Sequence, residues 1–159
     1  MAAHREFVAE AGSPDAAFPF LLLWTPEVSW SDYLRLLHGL RDGSAVPEGL
    51  VHSSFLLAEV DGALVGRVSL RFELNQWLAA EGGNIGYGVR PAFRRRGYAT
   101  EILRQGLALL RAAGVARVLV VCNDANAGSA TVIERGGGVL ESLVTPDDGD
   151  PPFRRYWIV

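Results

Sequence analysis

The chain has 159 residues, 49% of them hydrophobic, which is enough to bury a core as one domain. A net charge of −3 argues against general binding to nucleic acid or to a membrane surface. The one cysteine, Cys122, excludes an internal disulfide and fits a reducing compartment.

Residues 1–23 show no clean alternation. Phe20-Leu21-Leu22-Leu23-Trp24 is too short to span a bilayer, and the acidic residues before it do not resemble a signal peptide, so a soluble cytoplasmic protein is expected. Trp30, Tyr33, Leu34, Leu36, Leu37 and Leu40 predict a short helix, capped by Ser29 or Ser31 and ending near residues 39–43. After a loop through Pro47-Glu48-Gly49, residues 55–60 and 63–74 read as two strands joined by the hairpin signal Asp61-Gly62. Residues 77–83 read as a loop and 84–89 as a strand whose two glycines mark a bulge or a close backbone approach.

Ala99, Ile102, Leu103, Gly106, Leu107, Leu110 and Ala113 recur at helical spacing, with Glu101, Arg104, Gln105 and Arg111 opposite and Gly114 as the stop. Residues 117–122 form the continuous apolar run of a strand buried on both faces. Strand, helix and strand make a right-handed βαβ unit. Residues 139–144 and 153–159 read as two further strands around the polar loop 145–152, and no internal repeat is visible.

The turn before the long helix carries the strongest chemical signal. Arg94, Arg95 and Arg96 gather just ahead of Gly97, where cations oppose the helix dipole unless an anion sits among them. The turn lies at the carboxyl end of a parallel strand, where ligands of such sheets bind.

Arg94-Arg95-Arg96-Gly97-Tyr98-Ala99 resembles the Arg/Gln-x-x-Gly-x-Gly/Ala signature of GCN5-related N-acetyltransferases (GNAT). Its context agrees: Val89-Arg90-Pro91 before it, an amphipathic helix and buried strand after it, then Asn126-x-x-Ser129-x-x-Val132-Ile133-Glu134-x-x-Gly137, similar to that family's next helix. The likeness runs from about Phe55 to Val159. Gly82 to Tyr87, Arg71 with Leu74-Asn75, and the ending Arg155-Tyr156-Trp157-Ile158 resemble a subgroup of predicted acetyltransferases. The resemblance implies an α/β (α+β) fold of the acyl-CoA N-acyltransferase type, a mixed twisted sheet flanked by helices with a central βαβ coenzyme-binding unit. Residues 1–159 are then one domain: a helical part at 1–50, the core sheet and coenzyme unit at 55–144, a loop and last strand at 145–159. Family members usually open with a strand and a helix; here that strand is absent, is the segment 18–24, or lies outside the sequence.

Acetyl transfer from a thioester to an amine needs a grip on the coenzyme phosphates, a polarised carbonyl, a free amine and a proton for the departing thiolate. Backbone amides from Arg95 to Thr100 supply the grip, with Gly97 admitting the phosphate closely. The resemblance implies coenzyme contacts from Tyr87, Gly88, Val89, Arg94, Arg95, Arg96, Gly97, Tyr98, Ala99, Thr100, Asn126 and Ser129. Within that set, the Val89 main chain would pair with the pantetheine arm and Asn126 would hydrogen-bond it. The family's usual tyrosine before Glu134 is Ile133 here, so the acid candidates are Tyr156 and Tyr87, although a tyrosine on a half-buried strand is more often simply core. Glu73 is the base candidate, directly or through water, against the reading of a solvated carboxylate.

Cys122 reads as core, and His4, His38 and His52 show no ligand spacing, so no metal is expected. Asp147, Asp148 and Asp150 read as a solvated loop or a lure for a cationic amine; Trp77 and Trp157 as core or acceptor pocket. The chain has no lysine, which excludes a phosphate loop of the Gly-Lys-Ser/Thr kind, and its glycines are misplaced for a dinucleotide fingerprint. The expected function is acetyl transfer from acetyl-CoA to a primary amine of a small molecule, by a monomer or homodimer without nucleic-acid or membrane partners. The rival reading is a catalytically silent CoA-binding sensor or interaction module.

Overall fold

The structure, a computed structural model, describes residues 4–5 and 20–159. In chain order these form α1 (Trp30–Asp42), β1 (Ser53–Val60), β2 (Ala63–Arg71), a π-helical turn (Leu78–Gly82), β3 (Ile85–Val89) and a 3-10 turn (Pro91–Phe93). Then follow α2 (Tyr98–Ala112), β4 (Val118–Asn123), α3 (Ala127–Arg135), β5 (Val139–Val144) and β6 (Phe153–Ile158). The strands make one sheet in the order β1-β2-β3-β4-β6-β5. Only β3 and β4 are parallel; the other neighbours are antiparallel. This is the mixed, helix-flanked sheet with a central βαβ unit expected from the sequence.

Local chemistry accounts for the boundaries. Ser29 is the cap of α1, accepting the Asp32 amide at 3.1 Å, and Gly43 ends the helix in the left-handed region. Asp61 and Gly62 both take positive φ, as the two-residue turn between β1 and β2 requires. The second strand stops at Arg71, three residues short of the expected 74. Asn75 causes the turn beyond it: Oδ1 accepts the Leu78 amide at 2.9 Å and Nδ2 donates to the Gly49 carbonyl, so the expected loop at 77–83 contains a helical turn. Residues 20–24 form a bend and turns rather than a strand, while positions 18 and 19 lie outside the described residues.

Leu70, Ile85, Leu103, Leu107, Leu110, Val120, Ile133 and Ile158 build the core between the sheet and α2 and α3. The helix α2 comes so near the sheet that a Cβ at Gly106 would lie 2.5 Å from the Ile85 Cδ1. The β2–β3 register runs unbroken from Leu70–Ile85 to Gly66–Val89, so Gly86 and Gly88 mark no bulge in it. Among the described residues no helix is long and apolar enough to cross a membrane.

Candidate coenzyme and active site

The site begins where two parallel strands part. The β3–β4 ladder has a single pairing, Ile85 with Val120, and above it the strands diverge toward Val89 and Asn123. Asn84, 2% exposed, closes the lower end. Its main-chain N–H donates to the Leu119 carbonyl at 2.8 Å and its Oδ1 accepts the Leu119 amide at 2.9 Å. On the other side its Nδ2 donates to the Arg71 carbonyl at 3.1 Å, and its carbonyl accepts the Arg71 amide at 2.8 Å. The side chain thus acts as one extra rung across three strands. The Arg71 guanidinium, also buried, donates to the Gly82 and Gly83 carbonyls and holds the incoming turn. The sequence reading gave these two residues no role; a polar residue at the mouth of an apolar strand was the signal available.

The register then determines which main-chain groups line the V. Bonds from Arg71 to Asn84 and from Arg90 to Val65 set the β2–β3 rungs, so Tyr87 and Val89 turn their own N–H and C=O groups away from β2. Those groups face β4, which has already diverged. The Val89 carbonyl takes the Arg94 Nε–H at 3.1 Å, leaving the two amides as donors along the V.

At the open end lies the arginine turn. Arg95 (φ 62°) and Gly97 (φ 83°) both take left-handed backbone, an alternation that turns successive amides inward to form an anion-binding concavity. Gly97 caps α2 with no side-chain bond, and the first helical bond runs from Glu101 N–H to the Gly97 carbonyl. The amides of Tyr98, Ala99 and Thr100 are therefore free of intrahelical partners. Apart from its chain neighbours nothing lies within 4 Å of a Cβ built on Gly97, so an anion has room there. Arg94, Arg95 and Arg96 are exposed, and Arg96 lies 5.8 Å from the Phe93 ring. Free donors, room and positive charge together fit a coenzyme pyrophosphate.

Under the V, Tyr87 crosses from β3 to α3. Its hydroxyl lies 3.0 Å from the Ser129 Oγ and 3.4 Å from the Ser129 carbonyl. Burial pushes the phenol up to about 12, with the Ser129 hydrogen bond acting in the opposite direction. Cys122 stands level with Tyr87; burial raises its thiol, consistent with a core residue. Asn126 spends its Oδ1 on the Ser129 amide as the cap of α3, and the side chain is exposed.

The structure separates the remaining candidates from this group. Tyr156 is fully buried, and its hydroxyl donates to the Glu134 Oε1 at 3.0 Å rather than into the V. Glu73 lies beyond the end of β2, and because β2 runs antiparallel to β3 that end is opposite the arginine turn. Its carboxylate accepts the His52 amide at 3.3 Å. Ile133, 0% exposed, belongs to the core. Trp157 donates to Glu141 at 2.9 Å and packs under Arg117, and Trp77 is 59% exposed beside Gly82. Among the described residues no three His, Cys, Asp or Glu side chains gather in a metal-holding group.

A splayed parallel pair ending on a bare helix N-terminus has the shape and the donors to take an extended phosphate-bearing molecule along a strand. Residues 6–139 match the acetyltransferase (GNAT) domain family, and the chain belongs to that family: it is a GNAT acetyltransferase domain. The match reaches well upstream of the likeness seen in the sequence, taking in α1. Among solved structures the fold is similar to yncA, a putative acetyltransferase from Salmonella typhimurium with its cofactor acetyl-CoA, at 13% identity over 99% of this chain and 86% of that one, TM-score 0.66. It is also similar to a putative GNAT-family acetyltransferase from Bordetella pertussis at 22% identity, over 100% of this chain and 91% of that one, TM-score 0.61. A third likeness is to the microcin C7 self-immunity acetyltransferase MccE in complex with acetyl-CoA and AMP, at 18% identity over 81% of this chain and 68% of that one, TM-score 0.59. No curated protein matches the sequence.

Proposed function

We propose that this domain transfers the acetyl group of acetyl-CoA directly to a primary amine of a small molecule. The observation that carries the reading is the V itself, whose free Tyr87 and Val89 amides run toward the unoccupied donors at Tyr98, Ala99 and Thr100. Arg94 to Thr100 would hold the pyrophosphate, the Val89 main chain and Asn126 the pantetheine arm, and a β3 amide would polarise the thioester carbonyl. Direct attack fits better than an acetyl-enzyme, because the buried Cys122 thiol is pushed away from its reactive form.

For the acid we assign Tyr87 over Tyr156, since the Tyr156 proton is already held by Glu134. The amine proton leaves to water, because the Glu73 carboxylate lies past the closed end of the V and is engaged by the His52 amide. The single cysteine supports a reducing, cytoplasmic setting.

A silent coenzyme-binding module is the second reading, favoured by Ile133 in the position of the family's usual tyrosine. A screen of small-molecule amines with acetyl-CoA, following free thiol release, separates the two. Amine-dependent release that falls at least tenfold in Tyr87→Phe, with acetyl-CoA affinity kept, is the expected result; tight binding with no release from any amine would favour the silent module.

A further inference from the structure

The Tyr87 phenol can serve as an acid only if its proton points into the V, and by itself the ring leaves that proton free to turn toward either side. The hydroxyl has two contacts, both on Ser129: the Oγ at 3.0 Å, where either atom can donate, and the longer carbonyl contact at 3.4 Å. If the phenol donates to Ser129, its proton is turned away from the V. If Ser129 donates to the phenolic oxygen, the proton is released toward it. The two arrangements differ in where the two hydroxyl hydrogens lie, and in the first of them the Ser129 hydrogen turns to its other neighbour, the Cys122 thiol.

We propose that Ser129 is the positioning residue for Tyr87, donating its hydroxyl to the phenolic oxygen and so directing the Tyr87 proton at the sulfur that leaves the thioester. The proposal rests on the acetyl-transfer reading above. Three features of the structure support it. The Ser129 amide is fixed at 2.9 Å by the Asn126 Oδ1, so the first turn of α3 holds the serine in place. Tyr87 stands two residues above the Ile85–Val120 closure with its own amide facing the V, and its side chain crosses to Ser129 on the helix that walls the V. Ile133 is sealed in the core against Gly138, so the helix wall offers no proton from that position.

In the step itself the amine nitrogen bonds to the carbonyl carbon, the carbon–sulfur bond breaks, and its electron pair stays on sulfur. Sulfur takes the Tyr87 proton, and the phenolate accepts the Ser129 hydrogen bond. The proton lost by the amine passes to water, and water returns one to Tyr87. The sum is amine plus thioester giving amide plus thiol. The bond that aims the proton also eases its release, in the direction that Ser129 shifts the phenol.

The test compares calorimetric titrations of CoA and desulfo-CoA at about pH 10, where an alkyl thiol such as that of CoA is substantially thiolate and a phenol pushed up to about 12 keeps its proton. The wild-type chain should bind CoA roughly tenfold tighter than the analogue without sulfur, the scale of a hydrogen bond to an ionised group. Ser129→Ala should bring that ratio close to one, whatever it does to the affinity for desulfo-CoA, and Ser129→Thr should restore the ratio. Tyr87→Phe should abolish the ratio, and adding Ser129→Ala to it should change nothing more. A ratio that survives Ser129→Ala overturns the proposal. Equal losses for both ligands overturn it too, since they would make the Tyr87–Ser129 bond a mere strut between the walls. If neither ligand binds the wild-type chain, the acetyl-transfer reading fails and this proposal falls with it.

Discussion

A phenol pushed up to about 12 holds its proton more tightly in the folded chain than in the unfolded one, and Tyr87 is in that position. Above about pH 10 the unfolded state loses this proton while the folded state keeps it, so the folded state binds more protons and stability falls as pH rises. Below that value the contribution is intact. Tyr33, also pushed up to about 12 by burial, adds to the same decline. Urea unfolding at about pH 9 and about pH 11.5 should therefore show a shallower loss for Tyr87→Phe than for wild type, by on the order of 2 kcal/mol. An identical loss would mean the phenol is not buried as described. Single residues were unevenly legible in the sequence. Gly97 stood out because the arginines and the helical repeat fix its place and its left-handed conformation follows. Tyr87 and Tyr156 could not be told apart, since both are strand tyrosines and only the fold shows which hydroxyl is taken by Glu134. Glu73 could not be weighed from the sequence: it lies past the end of β2, on the side where the V closes, with its carboxylate taken up by the His52 amide, and strand direction is not written in composition.

Between elements, Asn84 decides where β3 and β4 separate. Removing its side chain in Asn84→Ala would leave the Leu119 amide and one lone pair of the Arg71 carbonyl without their bonds in a buried place. An unsatisfied buried group costs about 1–3 kcal/mol, so the variant should lose about 2–4 kcal/mol in denaturant unfolding and bind acetyl-CoA more weakly as the V loosens. Full stability in the variant would show that the clamp contributes nothing. The hairpin of β1 and β2 and the βαβ unit were readable because Asp61-Gly62 and the α2 periodicity each specify one geometry. The helical turn at Leu78–Gly82 was not, since it depends on Asn75 bridging to Gly49, a contact 26 positions away in the chain.

For the whole molecule, a net negative chain presents three exposed arginines around the free end of one helix, so its affinity for an anion should be local and salt-sensitive. The order of the outer strands, with β6 inserted between β4 and β5, depends on long-range pairing that no local pattern encodes. The family and the parallel centre of the sheet were nonetheless visible, because the phosphate turn, its helix and the next strand are contiguous. The most direct measurement is calorimetric titration of acetyl-CoA, with ATP and NAD as controls, into the wild-type chain and Gly97→Glu. The account predicts binding of acetyl-CoA alone, weakening as salt is raised, and its loss in Gly97→Glu, where a carboxylate would fill and repel the phosphate position. Undiminished affinity in Gly97→Glu, or no acetyl-CoA binding by the wild-type chain, would contradict it.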